Sequence, residues 1–205
     1  MRNDMNVILA SGSRARREML KAAGVAFTVE TADVDEPAIR ASLLAADGET
    51  PLEPADVAEL LACAKAESVS RLQPDAFVIG GDQVLALSDE ILSKPEDEPA
   101  ARRQLERLRG RTHELHSAVA LAKGGTVLWS TVDTAEMHVR DFSTAFLDDY
   151  MTRAGRHVLG SVGAYHMEGL GIQLFEWIEG DYFTVLGMPL LPLLAELRGR
   201  HIIAS

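Results

Sequence analysis

The sequence predicts an α/β protein built on a mixed β-sheet. Three observations lead there. Short apolar runs alternate with amphipathic helical stretches along the chain, the mark of strands covered by helices. Two hairpin-like pairs interrupt that alternation, which makes the sheet mixed rather than purely parallel. No internal repeat, low-complexity tract or linker divides the 205 residues, so the sequence reads as a single domain over 1–205.

The elements follow in order. Asn6–Ala10 (NVILA) is a short buried strand, Ser11-Gly12-Ser13 a turn, and Arg14–Ala23 a helix with Met19 and Leu20 inward and Gly24 as its stop. Phe27–Thr31 is a second strand. A long helix runs from about Ala55 to Arg71. Ala76–Leu87 and Glu90–Leu92 make a hairpin about Ser88-Asp89. Pro99–Leu108 is helical and closed by Gly110. Glu114–Ala122 and Thr126–Val139 are strands joined through Lys123-Gly124-Gly125. Ser143 caps a helix to Ala154. Residues 160–171 are glycine-rich, Gln173–Trp177 is a strand, and Leu186–Arg198 carries the last helix, with prolines near its start.

Composition narrows the class. Hydrophobic residues make up 47% and charged residues 25%, which fits a globular chain and not a disordered one. No apolar run approaches the roughly 18 residues of a membrane helix. The run within Met1–Leu9 is too short for a signal peptide. The single cysteine, Cys63, excludes an intrachain disulfide framework and a zinc–cysteine cluster. The expected location is the cytoplasm.

The net charge of -11 argues against a nucleic-acid polymer as partner. It is unevenly distributed. Residues 1–29 carry five Lys/Arg and two Asp/Glu, for +3, and residues 30–60 carry one and nine, for -8. The basic N-terminal turn is therefore where an anion would bind.

Individual residues give that turn chemistry. A strand, Ser11-Gly12-Ser13, and a helix bearing Arg14, Arg16 and Arg17 outline an anion site, because the first amides of a helix lack intrahelical partners and the dipole adds positive potential. The alternative is a capped surface helix with solvated arginines. Only four lysines stand beside sixteen arginines. One of them, Lys65, follows Val57 and Leu61 at four-residue spacing on the long helix, either snorkelling or a cation aimed into a cleft. Phe77–Gly81 (FVIGG) ends a buried strand and presents Asp82, a place for a metal ligand or general base, or a turn aspartate. The hairpin returns Lys94 towards the Asp82 end, where a simple salt bridge is the alternative. Glu36 lies in an acidic run that could equally be a solvated face. There is no HExxH, GxxxxGK[ST] or GxGxxG pattern.

Taken together, these segments resemble the Maf family of nucleoside triphosphate pyrophosphatases. The matching pieces are LASGSRARREML (Leu9–Leu20), ADVDE (Ala32–Glu36), LACAKAES (Leu61–Ser68), VIGGDQVL (Val78–Leu85), ILSKP (Ile91–Pro95), LRGRTHELHSAVAL (Leu108–Leu121), GAYHMEGLG (Gly163–Gly171) and LGMPL (Leu186–Leu190). They stand in the family's order and cover nearly the whole chain. The resemblance implies an inosine triphosphatase-like fold: a twisted mixed sheet flanked by helices, in two lobes around a central cleft. It implies cleavage between the α and β phosphates with a divalent metal (Mg, Mn or Co), and a homodimer.

By the same resemblance, Ser11, Ser13 and Arg16 hold phosphate oxygens, and Lys65 and Lys94 neutralise the triphosphate. Glu36 and Asp82 hold the metal, and Asp82 orients the attacking water. Asp82-Gln83 and Glu168 resemble the branch that acts on 7-methyl-GTP, with Gln83 and Glu168 as substrate contacts. The alternatives are dTTP and UTP as substrates, or a nucleotide-binding regulator of cell division without turnover. The sequence departs from the family pattern at Arg14, Ala15, Val162 and Phe183-Thr184-Val185.

Overall fold

The computed structural model describes residues 6–36, 38–39, 53–88 and 90–204. Its elements in chain order are β1 (Val7–Ala10), α1 (Arg14–Ala22), β2 (Thr28–Val29), α2 (Pro54–Leu72), β3 (Phe77–Leu87), β4 (Glu90–Leu92), α3 (Glu98–Leu108), β5 (Thr112–Lys123), β6 (Thr126–Val139), α4 (Thr144–Ala154), β7 (Phe175–Glu179), α5 (Tyr182–Val185) and α6 (Leu190–Gly199). The seven strands form one sheet in the order β2-β1-β3-β5-β6-β7, with β4 beside β3. Strand β1 runs parallel to β2 and β3, whereas β4 and β7 run antiparallel to β3 and β6. The sheet is therefore mixed and flanked by helices, as the alternation of elements predicts.

The chain divides into two compact units. One comprises residues 1–83, 116–133 and 182–205, and the other residues 84–115 and 134–181. In the first, Val7, Leu9, Leu20, Ile79, Val119, Leu121, Met188, Leu193 and Leu197 pack into one buried cluster. β1 is buried along its whole length because it lies between two parallel neighbours. In the second, Leu85, Leu105, Leu108, Leu115, Met137 and Leu147 are fully enclosed. No described helix is long and apolar enough to cross a membrane.

Three expected elements need correction. The second strand is Thr28–Val29, not Phe27–Thr31, and both its residues are exposed. It is an edge strand with two parallel pairs to β1. The late strand is Phe175–Glu179, not Gln173–Trp177. Residues Leu170–Leu174 form a 3-10 turn first, and pairing with β6 then sets the strand's register. The last helix is not continuous from Leu186 to Arg198. A four-residue helix, Tyr182–Val185, is followed by a turn at Gly187 with φ +104, and α6 starts only at Leu190. Apolar periodicity bridges that break because Leu186 and Met188 are apolar residues on both sides of the glycine.

Candidate active site

The site in the first unit starts from strand pairing. Strands β1 and β3 are parallel neighbours with Ala10 opposite Gly80. Ser11, which follows β1, and Gly81-Asp82 are thereby brought side by side; Asp82 lies inside β3 and not at the end of a strand, because the strand runs on through both glycines to Leu87. Ser13 caps α1, its hydroxyl accepting the Arg16 amide at 3.4 Å, and the first turn contains no acid. That leaves an electropositive helix start beside the end of a buried strand.

Helix α2 is seated directly on β3. A Cβ built on Gly80 would lie 2.2 Å from the Ala62 carbonyl and 2.7 Å from the Ala66 amide, so only glycine permits this approach. The contact sets Lys65 over the strand. Its ammonium donates to Asp82 Oδ1 at 2.6 Å and lies 2.7 Å from Glu36 Oε1. The Lys65 and Asp82 side chains are 13% and 8% exposed, and Glu36 is 41% exposed. The ammonium is thus paired with two carboxylates.

Arg16 is buried and held from three directions. Its Nε donates to the Gly187 carbonyl at 2.7 Å. Its Nη1 donates to the Gly81 carbonyl at 2.9 Å and to Ser11 Oγ at 3.1 Å. Burial pulls the guanidinium pKa down, and the Asp82 and Glu36 carboxylates oppose that pull. The ordinary value is so high that the group keeps its charge. Ser11 Oγ also accepts the Ser13 amide, so this serine ties the turn and the arginine together.

Gln83 sits one residue beyond Asp82. Its amide nitrogen faces Ser117 Oγ at 3.0 Å and the carbonyls of Thr184 and Val185 at 3.3 and 3.2 Å. The structure thus brings together Ser11, Ser13, Arg16, Glu36, Lys65, Asp82 and Gln83 in one unit. Lys94 and Glu168 belong to the second unit. Lys94 is an exposed residue two positions after β4, whose antiparallel register runs from Leu87 opposite Glu90 to Leu85 opposite Leu92. Glu168 is exposed in a turn closed by the Gly169 amide on the His166 carbonyl at 3.2 Å.

Sequence reasoning missed the two carbonyls that orient Arg16, those of Gly81 and Gly187. It also missed Ser117, Thr184 and Asp133, which the turn before α6 uses. A main-chain acceptor leaves no residue-type signal, and these partners lie up to 171 positions apart.

Two carboxylates within 2.7 Å of one ammonium can exchange that cation for a metal. Among the described residues no group of three or more His, Cys, Asp and Glu stands together as a metal centre. Mg²⁺ is commonly held by one or two carboxylates and completed by substrate phosphates. The donor set fits such an ion.

The chain as a whole is similar to known proteins. The model of the family described as Maf-like protein matches residues 6–200. A 7-methyl-GTP pyrophosphatase of Brucella abortus biovar 1 (strain 9-941) is 53% identical over 194 residues, covering 95% of this chain and 96% of that protein. A nucleoside triphosphate pyrophosphatase of Maricaulis maris (strain MCS10) is 48% identical over 196 residues, 96% and 97% of the two chains. A 7-methyl-GTP pyrophosphatase of Mesorhizobium japonicum (strain LMG 29417 / CECT 9101 / MAFF 303099) is 51% identical over 192 residues, 94% of each. Among solved structures, a HAM1 protein from Coxiella burnetii aligns with 67% of this chain and 74% of its own at 15% identity, with a TM-score of 0.43.

Proposed function

This chain belongs to the Maf-like protein family, and from that premise we propose that it hydrolyses a nucleoside triphosphate to the monophosphate and pyrophosphate, with 7-methyl-GTP as preferred substrate. The observation that carries the proposal is the convergence of Glu36 and Asp82 on Lys65, beside a strand–turn–helix that buries Arg16.

The triphosphate oxygens take the hydroxyls of Ser11 and Ser13, the first amides of α1, and the charges of Arg16 and Lys65. Lys94 adds a third cation. Asp82 holds the attacking water and takes its proton as the water oxygen bonds to phosphorus at the α–β bridge. The bridging P–O bond breaks, and pyrophosphate leaves with its new charge facing Arg16 and Lys65. Glu36 and Asp82 would hold a divalent ion (Mg, Mn or Co), which when bound supplies charge neutralisation and a more acidic water.

For the base, a carboxylate at Glu168 accepts both N–H donors of the guanine Watson–Crick edge. It also favours the positive charge that N7-methylation confers. Uracil or thymine would turn a carbonyl towards it. A polar mismatch of this kind discriminates by orders of magnitude when it is desolvated. Gln83 is kept with Glu168 in the substrate-contacting set. The relatives named 7-methyl-GTP pyrophosphatase support this choice of base.

The test is a nucleotide panel with Mg, Mn or Co, read as pyrophosphate release. 7-methyl-GTP should turn over fastest, and Asp82→Asn should abolish release. Faster turnover of dTTP or UTP would overturn the base reading. Tight nucleotide binding with no metal-dependent turnover would overturn catalysis in favour of a regulator. We also propose a cytoplasmic location, from composition, and a homodimer, from the resemblance, which fractionation of cells and sedimentation of the purified protein would read directly.

A further inference from the structure

Arg16 takes its orientation from three acceptors of different origin. Ser11 follows directly on β1, and Gly81 lies within β3 one residue past its last pair with β1, so the sheet fixes them. Gly187 does not. It lies in a turn after the four-residue helix α5, with φ +104, a conformation that only glycine adopts without strain. A single helical turn has no stability of its own. Something else must hold the Gly187 carbonyl 2.7 Å from Arg16 Nε.

The anchor is Thr184. It is fully buried, and three neighbouring strands reach it. From β5, Ser117 Oγ donates to the Thr184 carbonyl at 2.7 Å. From β3, Gln83 Nε2 reaches the same carbonyl at 3.3 Å. Towards β6, the Thr184 hydroxyl donates to Asp133 Oδ2 at 2.7 Å. The Gly187 amide closes the turn on the Thr184 carbonyl at 3.0 Å. The residue thus registers the turn to the sheet, and its bond to Gly187 passes that register on.

We propose that Thr184 is a positioning residue, which sets the guanidinium of Arg16 for the triphosphate through the carbonyl of Gly187. The proposal rests on Arg16 acting on the triphosphate. It also gives the 183–185 departure from the family pattern a purpose: the threonine hydroxyl ties the turn to Asp133. Gln83, on this account, contributes to the same staple through its amide nitrogen.

The experiment compares Thr184→Val and Thr184→Ser with wild type, reading kcat and KM for the best substrate of the panel, the melting temperature, and solvent exchange of the Arg16 Nε–H by NMR. Thr184→Val should lower kcat roughly tenfold and speed Nε–H exchange. Thr184→Ser, which keeps the hydroxyl, should restore both. In an Arg16→Ala background, Thr184→Val should cost no further kcat, since residues that act through one another are not additive. Unchanged Nε–H protection in Thr184→Val overturns the proposal whatever the turnover does, as does a lower melting temperature with kcat intact and protection intact. Lost protection with unchanged kcat would instead refute the role of Arg16 in the reaction and leave the staple standing.

Discussion

Replacing Lys65 by Met tests the centre of the site most directly. Methionine keeps most of the apolar stem and removes only the charge. In the wild type that charge lies 2.6 Å from Asp82 Oδ1 and 2.7 Å from Glu36 Oε1. At an effective dielectric of about 20, each contact is worth roughly 6 kcal/mol of attraction before desolvation is subtracted. The net effect is much smaller. Asp82, at 8% exposure, cannot turn to water, whereas Glu36, at 41%, can. Stranding one carboxylate of a buried pair costs about 3 kcal/mol, the low end of the range for such pairs. The variant should therefore unfold at lower urea with an unchanged m-value in metal-free buffer. Mg²⁺ or Mn²⁺ should restore more stability to the variant than it adds to the wild type, because the ion fills the place of the missing charge. Adding Asp82→Asn to Lys65→Met should recover part of the loss. A loss below about 1 kcal/mol, or strictly additive single and double variants, would refute the reasoning.

Other expectations follow from the same geometry. Gly80→Ala should destabilise by about 2 kcal/mol or more, because the new methyl meets helix backbone rather than a movable side chain; urea unfolding reads it, and a neutral result would show that α2 can lift from β3. Arg16→Lys should lower kcat by roughly 100-fold, since one ammonium cannot reproduce the fork that reaches Gly187, Gly81 and Ser11 together; wild-type kinetics would exclude a need for the fork. His113 is buried with Nε2 2.6 Å from the Tyr165 hydroxyl, and burial depresses its pKa from 6.5 to about 3. The unfolded chain thus takes up this proton first as pH falls. The stabilisation is complete above pH 6.5 and is lost between 6.5 and about 3, a change on the order of 5 kcal/mol. His113→Gln should flatten the fall in unfolding free energy over that window relative to wild type, and parallel curves would contradict the assignment.

How far the sequence could be read depended on the range of the interactions. The helix cap at Ser143 was legible, because a cap is decided within three residues. The Glu90–Leu92 hairpin partner and the long β5–β6 pair were legible from turn residues flanked by apolar runs. The break at Gly187 was not. Apolar spacing runs through it; Gly187 and Pro189 break the helix, and the hydrogen bonds at Thr184 and the contact with Arg16 hold the turn.

The candidate site divides in the same way. Residue types and motif order were enough to single out Ser11, Ser13, Arg16, Glu36, Lys65 and Asp82 as the chemical set and to suggest the family. They left Lys65 open between a snorkelling cation and one aimed into a cleft, and Glu36 open between ligand and solvated face. The pairing of β1 with β3 and the close seat of α2 on Gly80 place Lys65 against the two carboxylates, which no local pattern shows. Charge identity and local conformation are properties of neighbouring residues, so the sequence determines them by itself. Which cation meets which carboxylate, and which carbonyl aims Arg16, depends on strand register and helix packing between distant segments, and only the tertiary structure supplies that.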